Sequence, residues 1–200
     1  MADRAFVLAL SGIPGAGKST LTRQLNTTFP RSRVVYYDQF ETITRMGHEQ
    51  VRAWFKRGGD PNEFALSELA AELTRQTQRP SEDGRRPLVI FETPFGRMHR
   101  TTGAFIDFLV WIDTPLDLAL ARATLSFLHT AKREKSGQLA LAFIKWQEQY
   151  MMNYPIVRPM YVAQRETILR AADLVIDGNL ATEDSASTII KTLAERDVTL

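Results

Sequence analysis

Short apolar runs recur along the chain at Ala5 to Leu10, Val34 to Tyr37, Leu88 to Phe91, Phe108 to Ile112 and Leu174 to Ile176. In these runs apolar residues follow one another instead of alternating with polar ones, the pattern of strands buried on both faces. Between them lie longer segments of helical period, such as Leu66, Leu69, Ala70 and Leu73, or Leu116, Leu120, Leu125 and Leu128. Strand and helix therefore alternate through five strands. Two helix starts are written in the local chemistry. Thr114-Pro115-Leu116-Asp117 offers a side-chain cap, a proline at the first helical position and an acid in the first turn, and Asp60-Pro61-Asn62-Glu63 repeats that order. Gly58-Gly59 is placed to end a helix running from about Glu41 to Arg57. Two helices then fill the connection between the second and third strands. Helix-length crossovers imply an α/β fold, a parallel sheet covered on both faces, and such sheets bind ligands beyond the carboxyl ends of their strands. Those ends are Ser11, Asp38, Glu92 and Asp113.

Composition narrows the class. The 200 residues, 44% hydrophobic and 24% charged, can bury a core without disulfides, and no linker or repeat divides them, so one domain over 1–200 is expected. Twenty-five basic against 23 acidic side chains leave no like-charge run suited to a polyanion, and no nucleic-acid partner is expected. The absence of cysteine excludes thiol chemistry and Cys-ligated zinc. The six-residue apolar run at the N-terminus is too short for a membrane span, so a cytoplasmic protein without a membrane partner is expected.

Directly after the first strand comes Gly12-Ile13-Pro14-Gly15-Ala16-Gly17-Lys18-Ser19-Thr20, a full match to the phosphate-binding pattern G-x-x-x-x-G-K-[ST] in its required setting of strand, loop and helix. Backbone amides of the loop and of the following helix start form a concave set of donors for polyphosphate oxygens. Lys18 is the residue to reach the β- and γ-phosphates, and the Ser19 hydroxyl the one to meet Mg²⁺. A bare strand-to-helix turn needs the glycines but not the Lys-Ser pair. No Asn-Lys-x-Asp segment marks a GTPase, and Lys135-Ser-Gly-Gln138 only echoes the Ser-Gly-Gly-Gln signature of ABC ATPases.

The P-loop, Tyr37-Asp38-Gln39-Phe40, Phe91-Glu92, the run from Val110 to Arg122, and Tyr154 to Tyr161 leading to Ala172-Asp-Leu-Val-Ile-Asp-Gly178 together resemble the uridine kinase and phosphoribulokinase-like family of nucleoside and nucleotide kinases. The resemblance implies strand order 2-3-1-4-5, ATP and Mg²⁺ as cofactors, and a small-molecule hydroxyl as phosphoryl acceptor, of nucleoside or sugar type. It implies a lid over about 122–140 whose Arg133 neutralises the transferring phosphoryl, with Arg122 packing on the adenine. A helical acceptor segment falls at about 41–79, and a homodimer is compatible with the family. Glu92-Thr-Pro-Phe departs from the usual Glu-Gly pair, and the segment after Arg122 carries fewer arginines than uridine kinases do, which leaves the acceptor open.

Several residues admit two readings. Asp38, at the phosphate end of strand two, either takes the acceptor proton or caps the helix near Glu41. Glu92 either organises Mg²⁺ with Ser19, bonds the acceptor, or pairs with Arg97 or Arg100; Asp38 and Glu92 could also exchange roles. Lys132 and Arg133 equally suit an ordinary helix C-terminus. His48, His99 and His129 lack metal-ligand spacing, although His99 lies close to the expected acceptor side. Trp54, Phe55, Phe64 and Phe95 either line an acceptor pocket or belong to the core, and Phe143, Trp146 and Tyr150 share one helical face suited to packing. Two rivals to a kinase stand: an ATPase that uses hydrolysis as a switch, and a nucleotide-binding module without turnover.

Overall fold

A computed structural model describes residues 4–41, 46, 48–80 and 86–196. Its strands are β1 (Phe6–Ser11), β2 (Arg33–Tyr36), β3 (Leu88–Glu92), β4 (Phe108–Asp113) and β5 (Leu174–Asp177). They form one parallel sheet in the order β2-β3-β1-β4-β5. Both faces are covered, which is why every residue of β1 and β3 is buried and why these strands read as unbroken apolar runs. The core centres on Leu8, Leu10, Ile90, Phe91, Leu109 and Trp111. Truncating a buried leucine of this kind to alanine costs about 2–5 kcal/mol.

The helices are α1 (Lys18–Thr28), α2 (His48–Lys56), α3 (Ser67–Gln78), α4 (Arg100–Gly103), α5 (Leu116–Arg133), α6 (Gly137–Ala171) and α7 (Thr182–Glu195). Residues 42–45 and 47, within the expected acceptor segment, lie outside the described residues, so the start near Glu41 of the expected helix does too. Its end agrees: α2 stops at Lys56, and Gly58 and Gly59 take φ of 110° and 65°.

Two expected helix starts are corrected. Asp60 does cap, its carboxylate accepting from the Asn62 amide at 2.9 Å, but it opens only a single 3-10 turn over Pro61–Glu63. Phe64 then turns extended to pack on Trp54 and Phe95, and α3 begins at Ser67. Thr114 does not cap α5. Pro115 holds the cap position, while the Thr114 hydroxyl donates to the Ala16 carbonyl at 3.1 Å, tying the end of β4 to the P-loop.

The segment expected as a lid is regular helix. α5 and the 35-residue α6 form an antiparallel hairpin, broken only at Glu134 to Ser136, where Ser136 caps α6. Phe127 stacks on Trp146 at 4.6 Å, Trp146 on Tyr150 at 5.5 Å, and Tyr150 meets Tyr154 edge-on. The expected packing role of Trp146 and Tyr150 holds. α6 keeps its course through Pro155 and Pro159, each of which removes a backbone donor. There the Tyr150 and Tyr161 hydroxyls bond at 3.2 Å across the interrupted stretch. Among the described residues no helix is long and apolar enough to cross a membrane.

Candidate active site

The loop between β1 and α1 sits at the carboxyl edge of the sheet, where the strand order reverses. Gly17, with φ of 102°, stands at the N-cap of α1 and Gly15 has φ of 81°, conformations that side chains rarely take. A Cβ on Gly15 would also run into the Ala119 carbonyl of α5, so this glycine serves the packing of loop on helix as well as the turn.

Lys18 and Ser19 open α1. The Lys18 ammonium is drawn in against the loop, donating to the carbonyls of Gly12 at 2.9 Å and Ile13 at 3.2 Å. Desolvation by burial lowers its pKa, against the opposing attraction of Glu92 and Asp38. Ser19 donates its hydroxyl to Glu92 Oε1 at 3.0 Å. The second carboxylate oxygen of Glu92 is buried with no partner. Burial raises the Glu92 pKa, while Lys18 and the Ser19 bond pull it down. A buried carboxylate with one bare oxygen beside a hydroxyl, and a partly buried ammonium satisfied only by carbonyls, form the donor set a hydrated divalent cation and a polyphosphate require. Among the described residues no group of three metal-ligating side chains exists, so a cation here would rest on Ser19, Glu92 and phosphate oxygens. Glu92 does not pair with Arg97 or Arg100 in this structure: its only hydrogen-bond partner among the described residues is Ser19, Arg97 is held by Asp173 at 2.6 Å, and the Arg100 charge acts on Asp60.

Asp38 falls in a 3-10 turn, Tyr37–Gln39, directly after β2, with its side chain exposed. Its charge acts on both Lys18 and Glu92, so the three groups share one electrostatic site. Behind it Tyr37, Trp54, Phe64 and Phe95 pack ring against ring and are buried, as core and not as open pocket walls. His99 is likewise structural: buried, it caps α4 through the Thr102 amide and bonds the Phe64 carbonyl through Nε2 at 3.2 Å.

Two arginines depart from expectation. Arg122 is spent on the Gly178 carbonyl at 2.9 Å, which joins α5 to the loop after β5. Arg133 is exposed at the C-terminus of α5, ten residues beyond the Ala123 that touches the P-loop, or about 15 Å along the helix axis. In this structure it serves the helix end, where a cation is favourable, and does not reach the phosphate loop.

The sequence reading missed Arg165. Its guanidinium grips the Asp113 carboxylate with two bonds of 2.6 Å, and this pair borders a groove of about 740 Å³ with Pro115, Leu120, Tyr154 and Arg158. The acid at the end of β4 was visible as a strand-end residue, but its partner lies 52 residues away with no local signal. Asp38 and Glu92 stand on the β2–β3 side of the P-loop and this groove on the β4–β5 side.

No protein-family model matches the chain, and comparison with curated proteins finds no relative. Solved structures do match in fold. A shikimate kinase from Acinetobacter baumannii in complex with shikimate aligns over 96% of this chain and 94% of its own, at 18% identity and a TM-score of 0.50. Shikimate kinase from Aquifex aeolicus aligns over 96% and 99%, at 15% identity and a TM-score of 0.52, and a Thermus thermophilus protein over 96% and 98%, at 19% and 0.52. The chain therefore has the fold that these structures display, a five-stranded parallel sheet in the order 2-3-1-4-5 with helices on both sides.

Proposed function

We propose that the protein is an ATP-dependent kinase that transfers a phosphoryl group to a hydroxyl of a small molecule. The carrying observation is the placement of Asp38 one strand out from Glu92, within electrostatic reach of Lys18. A P-loop that only binds nucleotide needs Lys18, Ser19 and a metal-facing acid, but no second carboxylate exposed on the acceptor side. The shikimate kinases of like fold support a small-molecule acceptor, and the resemblance to uridine kinases makes nucleosides and sugar-type alcohols the class to test first.

ATP supplies the transferable phosphoryl group, and Mg²⁺ draws off its negative charge. Gly12 to Thr20 hold the phosphate chain through backbone donors, and Lys18 turns from the Gly12 and Ile13 carbonyls to the phosphate oxygens. Ser19 and Glu92 would hold the cation, the Ser19 hydroxyl and the Glu92 carboxylate standing together with one carboxylate oxygen free of hydrogen bonds. Asp38 orients the acceptor hydroxyl and takes its proton on a carboxylate oxygen. Arg122 leaves or shares Gly178 to flank the base, and Arg133 acts on the phosphoryl group only in a state where the hairpin has closed over the loop.

The direct test incubates the protein with labelled ATP and a panel of nucleosides, sugars and alicyclic alcohols. Label in the acceptor and ADP release that depends on it are expected. ADP release at one rate with every acceptor and with none would replace the kinase by an ATPase.

A further inference from the structure

The aromatic wall behind Asp38 is core in its rings, but one hydroxyl in it has no place in the packing. Tyr37 is 4% exposed, its ring edge-on to Phe95 with centroids 5.4 Å apart, and Phe95 in turn stacks on Phe64, which packs on Trp54. The other polar side chains about this wall are paired. Trp54 Nε1 donates to the Asp60 carbonyl at 2.9 Å, His99 bonds Thr102 and the Phe64 carbonyl through its two nitrogens, and the Thr93 hydroxyl accepts from the Phe95 amide at 3.2 Å. The Tyr37 hydroxyl is as deeply buried and bonds nothing among the described residues. A buried hydroxyl without a partner weakens a fold, and phenylalanine would fill the same space against Phe95 without that cost. In a wall otherwise paired, such an atom points to a partner that arrives from outside.

The surroundings of the hydroxyl say what that partner is. Tyr37 directly precedes Asp38 in the turn that closes β2, and Tyr36 before it lies in register with Glu92, so Tyr37 belongs to the edge where the P-loop, Glu92 and Asp38 meet. Burial, together with the charges of Glu41 and Asp38, raises its pKa, so the hydroxyl stays protonated and acts as a donor. Because those charges reach it, it stands on the acceptor side of the site. An anionic oxygen brought there would meet the negative charge of Asp38, whereas an uncharged hydroxyl oxygen accepts from the phenol without that repulsion. An alcohol with more than one hydroxyl satisfies both residues, one oxygen going to Asp38 and a second to Tyr37. A site that keeps a buried donor for a substrate hydroxyl also rejects analogues that lack it, since the donor is then left unpaired.

We propose that Tyr37 is a specificity-determining residue of the acceptor site, its hydroxyl donating to a second hydroxyl of the acceptor beside the one that Asp38 orients, so that polyhydric alcohols are taken in preference to simple ones. The inference rests on the kinase reading above and sharpens its acceptor class. The test compares wild type and Tyr37→Phe in transfer from labelled ATP to two pairs of acceptors, uridine beside dideoxyuridine and inositol beside cyclohexanol. The melting temperature of each protein is measured without ligand. For a pair that is phosphorylated, the wild type should favour the polyhydric member by roughly tenfold or more in kcat/KM, and Tyr37→Phe should lose most of that preference through a higher KM for it. Tyr37→Phe should melt at or above the wild type, since it removes an unpaired polar group. A preference that survives in Tyr37→Phe, or a wild type with none, would overturn the inference and leave the kinase reading standing. So would a variant that melts below the wild type, which would show the hydroxyl to be bonded within the fold. Transfer by the wild type to none of the four acceptors would instead overturn the kinase reading for this class of alcohol, and the inference with it.

Discussion

Glu92 is buried and Lys18 partly buried beside it, and desolvation works against the charge of each: it raises the carboxyl pKa and lowers the ammonium pKa. For Glu92 the sign is that of a cost. At pH 4 the carboxyl of the unfolded chain is itself largely protonated and nothing is lost on folding; as pH rises past its ordinary value of 4.5, the unfolded chain ionises freely and the buried group does so at a penalty. Glu92→Gln keeps an acceptor for the Ser19 hydroxyl and removes the penalty. The variant should melt above the wild type at pH 8 and together with it at pH 4, and under the proposed role of Glu92 toward the cation it should lose phosphoryl transfer. Scanning calorimetry at the two pH values checks this. A variant that melts below the wild type at pH 8 would show that Glu92 is a structural residue and not one held at a cost for function.

The elements differ in how openly the sequence declares them. β1, β3 and β4 are legible because they are covered on both faces and so carry few polar residues, while the edge strands β2 and β5, less buried, are legible as short apolar runs; with them comes the carboxyl edge where Ser19, Glu92 and Asp38 meet. The P-loop is legible because its backbone conformation demands glycine at Gly15 and Gly17. The hairpin is not. α6 packs on different neighbours along its length, α5 first and then α2 and β4, so no single stripe marks it as one helix. Thr114 and Asp60 show the limit of local reading: each has the chemistry of a cap, and tertiary partners decide whether an α-helix follows. What fixes α6 to the sheet is also non-local. The Arg165 guanidinium holds the Asp113 carboxyl below its ordinary value, so the pair stabilises fully above about pH 4, where an unfolded aspartate is ionised, and its contribution is lost as pH falls through the lower folded value. Both side chains are partly exposed, which limits the pair to about 1 kcal/mol or less. Arg165→Gln should therefore lower the melting temperature by about 2–4 °C at pH 7, and the gap should close below pH 4. A gap independent of pH would mean that Arg165 acts through packing alone.

Taken whole, the molecule divides its carboxyl edge into two sides about the P-loop. Asp38 and Glu92 stand on the β2–β3 side, and Arg122, Arg165 and the groove on the β4–β5 side. A kinase needs such a division, since nucleotide and acceptor must approach the same phosphorus from opposite directions. A switch ATPase, whose acceptor is water, gives Asp38 no separate task. The most direct measurement is therefore made on Asp38→Asn, which keeps the shape of the side chain and removes its charge and basicity. ATP affinity by titration calorimetry is set beside the rate of phosphoryl transfer to the best acceptor. ATP affinity should stay within about threefold, because the P-loop supplies it, while transfer falls by on the order of 10²- to 10⁴-fold. Transfer at the wild-type rate, or a loss that merely follows weakened ATP binding, would contradict the assignment of Asp38 as the base that makes this P-loop protein a kinase.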